Sequence, residues 1–185
     1  MPNWCSNTFE VTGNSQRMQS FYEFLEERGG KDWFDFFVEP AKEDDENWYN
    51  HNLENYGCKW NCEAGSWSIQ DLDDDRSKIE LHFESPWGPP TKLYETLAED
   101  ESLEIYAEYN EEGMGFVGRF ADGEDEYYEY DGLDSLDEIP EELVGNWAIR
   151  ESLESWEEME QEEIDIDELQ KEFDEMKGED DDKKD

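Results

Sequence analysis

Apolar residues change their spacing along this chain, and the changes mark out its elements. Trp4 to Thr12 alternates loosely and stops at Gly13-Asn14, a strand followed by a turn. Ser15 then stands as a cap, and Met18, Phe21, Tyr22, Phe24 and Leu25 recur at helical spacing up to Gly29-Gly30. Trp33 to Val38 is a short aromatic run stopped by Pro40. The segment from Glu43 to Tyr56 carries Trp48, Tyr49 and Leu53 as a further helix, and Gly57 to Cys62 leaves it as an extended stretch or turn. Trp67–Gln70 and Ile79–Phe83 read as two strands joined by the polar Asp71–Ser77. Ser85–Pro90 is a loop, and Thr91 opens a helix bearing Leu93, Tyr94 and Leu97. In the next strand Leu103, Ile105, Ala107 and Tyr109 alternate with Glu104, Tyr106 and Glu108, a pattern that predicts one wet face. Turns at Glu111-Glu112-Gly113 and Asp122-Gly123 then link three strands as a meander.

Set end to end, these elements give strand, helix, an irregular insertion, two strands, a helix and three strands. Without the insertion, about residues 31–62, the order is the β-α-β-β-α-β of a ferredoxin-like sandwich. The predicted class is α+β: an antiparallel sheet with helices on one face, extended by extra hairpin strands. This domain takes residues 1–134. From Ser135 the pattern turns helical again. Pro140 sits at a first helical turn, Leu143, Val144, Trp147, Leu153 and Trp156 form an apolar stripe, and Asp165 or Asp167 caps a last helix. Residues 135–185 therefore read as an acidic helical extension with a frayed tail.

Charge changes this picture more than any motif does. The chain holds 56 acidic residues against 14 Lys and Arg, a formal net charge of -42. Such a chain would ordinarily be disordered. Its aromatic content of 15%, with 8 Trp, supplies the core that composition alone denies, since each ring can bury roughly 150–250 Å². The charge repels nucleic acid and anionic lipid, so neither is an expected partner; basic protein surfaces and cations are. In total it equals the charge of roughly 20 base pairs of DNA. No basic segment followed by an apolar stretch opens the chain, and no apolar run approaches a membrane span. Three cysteines, an odd number, suit a reducing compartment, and the expected location is the cytoplasm.

Three boxes carry a family resemblance. Met1-Pro2-Asn3-Trp4-Cys5-Ser6-Asn7 resembles the opening of the Api92-like proteins of bacteriophages and plasmids, which include the YubB-type ferredoxin-like domains. Glu54-Asn55-Tyr56-Gly57-Cys58-Lys59-Trp60-Asn61 is similar to that family's N-W-G-T/C-K-W box, with Tyr56 where a Trp is commoner. Ser85-Pro86-Trp87-Gly88-Pro89-Pro90 resembles its W-x-P-P loop, and a Gly-rich hairpin near Gly113–Gly118 fits as well. The resemblance implies a ferredoxin-like fold and a mobile-element origin, hence a host-cell cytoplasm. It implies no established activity, so no catalytic residue is carried over.

Candidate chemistry is sparse. Cys58-x3-Cys62 with Cys5, His51 and His82 lacks the paired spacing of a zinc knuckle and reads as core. Asp71-x-Asp73-x-Asp75 starts like a calcium loop but has Arg76 and His82 where Gly and Glu are required. Gly113-x-Gly115-x-x-Gly118 lies in a hairpin rather than at a strand-to-helix turn. No catalytic signature, cofactor fingerprint or metal set stands out, and the chain reads as a non-enzyme. Phage and plasmid proteins that block host defence often imitate DNA with carboxylates. The expected function is therefore an acidic interaction protein that inhibits a host nucleic-acid-binding or defence protein by DNA mimicry. The partner-binding candidates are Asp71, Asp73, Asp74 and Asp75, then Glu124, Asp125 and Glu126. In the extension they are Trp147, Trp156, Glu157, Glu158, Glu162 and Glu163. Two alternatives stand beside it: an oligomer-forming or adaptor protein acting through aromatic surfaces, and a weak divalent-cation module.

Overall fold

The computed structural model describes residues 3–42, 46–159, 161, 162 and 166. The chain divides into two compact units, Met1–Tyr130 and Asp131–Asp185, with the break a few residues ahead of Ser135.

The first unit contains β1 (Trp4–Asn14), α1 (Ser15–Arg28), α2 (Trp48–Asn55), β2 (Ala64–Asp71), β3 (Arg76–Pro86), α3 (Thr91–Ala98), β4 (Glu104–Glu111), β5 (Phe116–Ala121) and β6 (Glu124–Glu129). The strands form one antiparallel sheet in the order β2-β3-β1-β4-β5-β6. β1 through β4 with α1 and α3 make the ferredoxin-like unit, and the β5–β6 hairpin extends it. The expected α+β class, ferredoxin-like sheet and extra hairpin strands are all present.

Period-2 placement explains which residues meet. Odd-numbered residues of β1 (Phe9 and Val11) face α1 and α3, whose Met18, Phe21, Leu25, Leu93, Tyr94 and Leu97 are buried in the same core. Trp33 stands at its centre, with ring centroids 5.2 Å from Phe9, 5.1 Å from Phe83 and 4.5 Å from Phe34. Residues 31–62, the irregular insertion, therefore contribute to this core. Trp33 and Phe34, in a 3-10 turn, join Tyr56, Cys58 and Cys62 in the core.

Two other readings are corrected. β1 does not turn at Gly13-Asn14; it runs to Asn14, whose side chain accepts from the Gln16 N–H and caps α1 in place of Ser15. The even-numbered face of β4 is not uniformly wet, because Glu108 and Asn110 are buried. Their polar atoms are satisfied locally: the Tyr106 hydroxyl donates to Glu108, and the Tyr130 hydroxyl donates to Asn110 Oδ1 at 2.8 Å.

In the second unit α4 spans Glu141–Asn146, with Leu143 and Val144 buried, and residues 149–159 are helical again. The apolar stripe read over Leu143, Val144, Trp147, Leu153 and Trp156 does not lie on one helix. Ala148 adopts a positive φ of 49°, which breaks the helix between Trp147 and Leu153. The expected last helix from Asp165 or Asp167 lies outside the described residues. Among the described residues no helix is long and apolar enough to cross a membrane.

Candidate interaction surface

The first acidic cluster forms the β2–β3 turn, and much of its charge is used by the turn itself. Asp73 Oδ1 accepts the N–H groups of Asp75 at 3.0 Å and Arg76 at 2.9 Å, an Asx-type closure. Asp71 Oδ1 accepts from Ser77 Oγ at 2.8 Å, and the carbonyl of Asp75 accepts the Ser15 N–H that opens α1. Ser15, Asp71, Leu72, Asp73 and Asp74 border an open concavity of about 490 Å³. The turn thus fastens β2, β3 and α1 while leaving Asp74 and Asp75 at the surface.

The second cluster is β6, the opposite edge of the sheet. Five strand spacings of ~4.8 Å put it ~24 Å from β2, so the two clusters are separate features. The two-residue turn Asp122-Gly123, with φ of 53° and 79°, closes the β5–β6 hairpin in the I′ form that matches strand twist. Glu124 and Glu126 lie on the sheet face away from the helices, and Glu126 pairs with Arg119 of β5. Asp125 lies on the helix-side face. There the Tyr109 hydroxyl reaches across β5 and donates to Asp125 Oδ1 at 2.8 Å. Its path runs over Gly118, the register partner of Tyr109, where an added Cβ would stand 2.3 Å from the phenolic oxygen. Partial burial raises the pKa of Asp125, with nearby Glu95 adding to the shift, while the Tyr109 hydrogen bond opposes it. Burial and Asp125 together push the Tyr109 phenol far above its ordinary range.

Basic side chains on the open sheet face lie beside carboxylates. Lys78 pairs with Glu10 at 3.0 Å, Arg76 with Glu104 at 2.7 Å, and His82 lies 3.3 Å from Glu80. Along β3, Lys78, Glu80, His82 and Glu84 alternate bases with carboxylates on this face.

The extension separates its two tryptophans. Trp147 ends α4 half-buried, with its indole N–H enclosed and without an acceptor among the described residues, while Trp156 lies on the following helix and is 53% exposed. Glu157, Glu158 and Glu162 are exposed beside it; Glu163 lies outside the described residues.

The pattern of charges did not single out a further exposed group at the start of β1. Trp4 and Trp87 are about half exposed, and the Trp87 N–H bonds the Asn3 carbonyl at 2.9 Å. Trp87 has a φ of 72°, an uncommon conformation for a bulky residue. Cys5, Cys58 and Cys62 are free and buried. Burial raises the thiol pKa of both Cys5 and Cys62, which keeps them protonated and unreactive. Among the described residues no group of three or more His, Cys, Asp or Glu is placed to hold a metal ion.

Sheet order, helix placement and hairpin extension define an α+β ferredoxin-like domain. Residues 66–184 match the family described as the ferredoxin-like domain in Api92-like protein, and the chain belongs to that family. The match includes the acidic extension and begins after two of the three boxes that carry the resemblance. A crystal structure of a protein api92 from Yersinia pseudotuberculosis is similar at 22% identity, over 45% of this chain, with a TM-score of 0.31. This chain spans 30% of that protein's chain, and a likeness at this level carries no argument about fold or function. None of the curated proteins matches the chain.

Proposed function

We propose that this chain is an acidic interaction protein of a phage or plasmid, and that it occupies a basic surface on a host nucleic-acid-binding or defence protein in place of DNA. One observation supports the reading: most of the protein's described cations sit in ion pairs with its own carboxylates. Among the described residues Arg17, Arg28, Arg76, Lys78, Lys92, Arg119 and Arg150 all sit in ion pairs, and Lys59 lies over the Trp60 ring. A net charge of -42 leaves the carboxylates far in excess of these pairs, so the field of the protein is negative overall. A field of this kind steers a basic cleft onto the protein and weakens with salt.

Capture from host-cell extract tests it. The expected result is recovery of nucleic-acid-binding proteins that elute with salt and are displaced by a duplex of roughly 20 base pairs, the length matched in charge. Partners that are neutral or acidic, or that duplex DNA fails to displace, would overturn the reading.

A second reading, an adaptor acting through aromatic surfaces, is supported by Trp4, Trp87 and Trp156, all about half exposed. It predicts binding that survives high salt, because apolar burial is not screened. Trp156→Ala and Trp87→Ala should then abolish it, and neutralising Asp74 and Asp75 should not.

A further inference from the structure

We infer that the outer edge of β6 receives an extended Lys/Arg-rich segment of a partner protein as an added strand, with one basic side chain entering the cleft beside Tyr106. The inference rests on the proposed function and names the chemistry of its partner.

The edge is defined by backbone parity. β6 has β5 on one side only. In a two-residue I′ hairpin the closing pair, here Ala121 and Glu124, exchanges backbone hydrogen bonds, and so does every second pair beyond it. Glu124, Glu126 and Tyr128 therefore bond inward. The Tyr130 N–H continues the series, reaching the Gly115 carbonyl at 2.7 Å. The N–H and C=O groups of Asp125, Tyr127 and Glu129 point away from β5, and among the described residues none bonds to them. The strand contains no Pro and no bulge, and five of its six residues are exposed. Such a row of donors and acceptors is a template for another strand.

Side chains choose the occupant. Neither face of β6 carries a Lys or Arg. A second copy pairing through β6 would set carboxylates opposite carboxylates, which is unfavourable. A strand with Lys or Arg at alternate positions would instead meet Glu124 and Glu126 on one face, or Asp125 and Glu129 on the other. Immediately inside the edge, on the open sheet face, lies a cleft of about 320 Å³ lined by Tyr106, Arg119, Ala121, Asp122, Glu124 and Glu126. An aromatic ring flanked by three carboxylates suits an ammonium or guanidinium group, even with Arg119 committed to Glu126.

The test uses the full chain and three synthetic peptides of equal length: one alternating Lys and Thr, the same peptide N-methylated at every second amide, and one with Glu replacing Lys. Binding is read by fluorescence anisotropy and by backbone amide shifts. The Lys peptide should bind and move the amides of Asp125, Tyr127 and Glu129. N-methylation on the bonding edge should weaken it by about tenfold or more, since several hydrogen bonds are lost at unchanged charge. The Glu peptide should not bind. Tyr127→Pro, which deletes one outward N–H and no charge, should weaken binding similarly, and Glu124→Gln should weaken it with β6 intact. Equal affinity for methylated and unmethylated Lys peptides, or shifts spread away from β6, would overturn the strand inference and leave the basic-partner reading standing. Absence of salt-sensitive binding by any Lys peptide would overturn both.

Discussion

At the β2 edge of the sheet, Asp71 and Asp73 accept hydrogen bonds from Ser77 and from the backbone of their own turn, and a register irregularity between Ala64 and Ser66 disrupts the strand. At the β6 edge, Glu124 and Glu129 flank an uninterrupted strand whose outer backbone groups have no partner among the described residues. Composition is nearly the same at the two sites. The physical work differs: Asp71 and Asp73 close a turn, whereas Asp125 and Glu126 tie β6 to Tyr109 of β4 and Arg119 of β5 and leave Glu124 at the surface.

Glycine substitutions should separate the edges most strongly. Gly118 lies between β4 and β6 in the path of Tyr109, and a Cβ there would stand 2.3 Å from its hydroxyl and 2.4 Å from the Glu126 carbonyl. Gly118→Ala should destabilise the first unit by about 3 kcal/mol, the upper range for overpacking. At the irregular start of β2, a Cβ on Gly65 would meet only the His82 carbonyl at 3.7 Å. Gly65→Ala should change stability by less than about 0.5 kcal/mol. Urea unfolding of both variants measures the difference, and equal losses would break the comparison.

Alkaline pH should act next, and on the β6 half. Burial raises the phenols of Tyr109 and Tyr130, the latter to about 12 against an ordinary 10.0. A raised folded-state pKa gives stability that is complete below the unfolded value and lost as pH climbs toward the folded one. Between pH 10 and pH 11 Tyr130 alone should remove about 1 kcal/mol. Hydrogen exchange followed over that window should show the β4–β5–β6 amides losing protection ahead of those in the β2–β3 ladder. Loss at β2 first would contradict the assignment.

How legible these differences are in the sequence depends on their range. The β-α-β-β-α-β order is readable because each element carries its own period, and the turns at Asp71–Ser77 and Asp122-Gly123 are marked by runs of Asp and Gly. Strand order is a long-range property, so nothing local in Glu124–Glu129 reveals that it ends the sheet or that Asp125 faces Tyr109. Burial of Glu108 and Asn110 was equally hidden, because their partners Tyr106 and Tyr130 make an acidic alternation compatible with an interior. The helical stripe through Trp147 and Trp156 failed at one backbone torsion, that of Ala148. Core membership of Trp33 and Phe34 is not legible, because an irregular aromatic segment has no period to read.

Removing the phenolic hydroxyl isolates the contact that ties β6 to the core. Tyr109→Phe keeps the ring over Gly118 and deletes the hydrogen bond to Asp125, so a loss of about 1 kcal/mol is expected. The Asp125 carboxyl then loses the partner that opposes its upward shift, and its pKa should rise further, which proton titration by NMR reads directly. An unchanged Asp125 titration would show that the hydroxyl does not hold it.

The smallest effect belongs to the β2–β3 turn. Asp73→Ala deletes the oxygen that accepts the Asp75 and Arg76 N–H groups, and should cost about 0.5–1 kcal/mol, as for comparable side-chain caps. Asp73→Asn retains an acceptor oxygen at the same position and removes one negative charge, so it should stay within about 0.3 kcal/mol of the parent. If both variants lose the same amount, the charge of Asp73 matters more than its acceptor. The β2 edge would then resemble β6 in using its carboxylates electrostatically. If only the alanine variant is weakened, the turn keeps Asp73 for its geometry, and the β2 and β6 edges are chemically distinct despite their shared acidity.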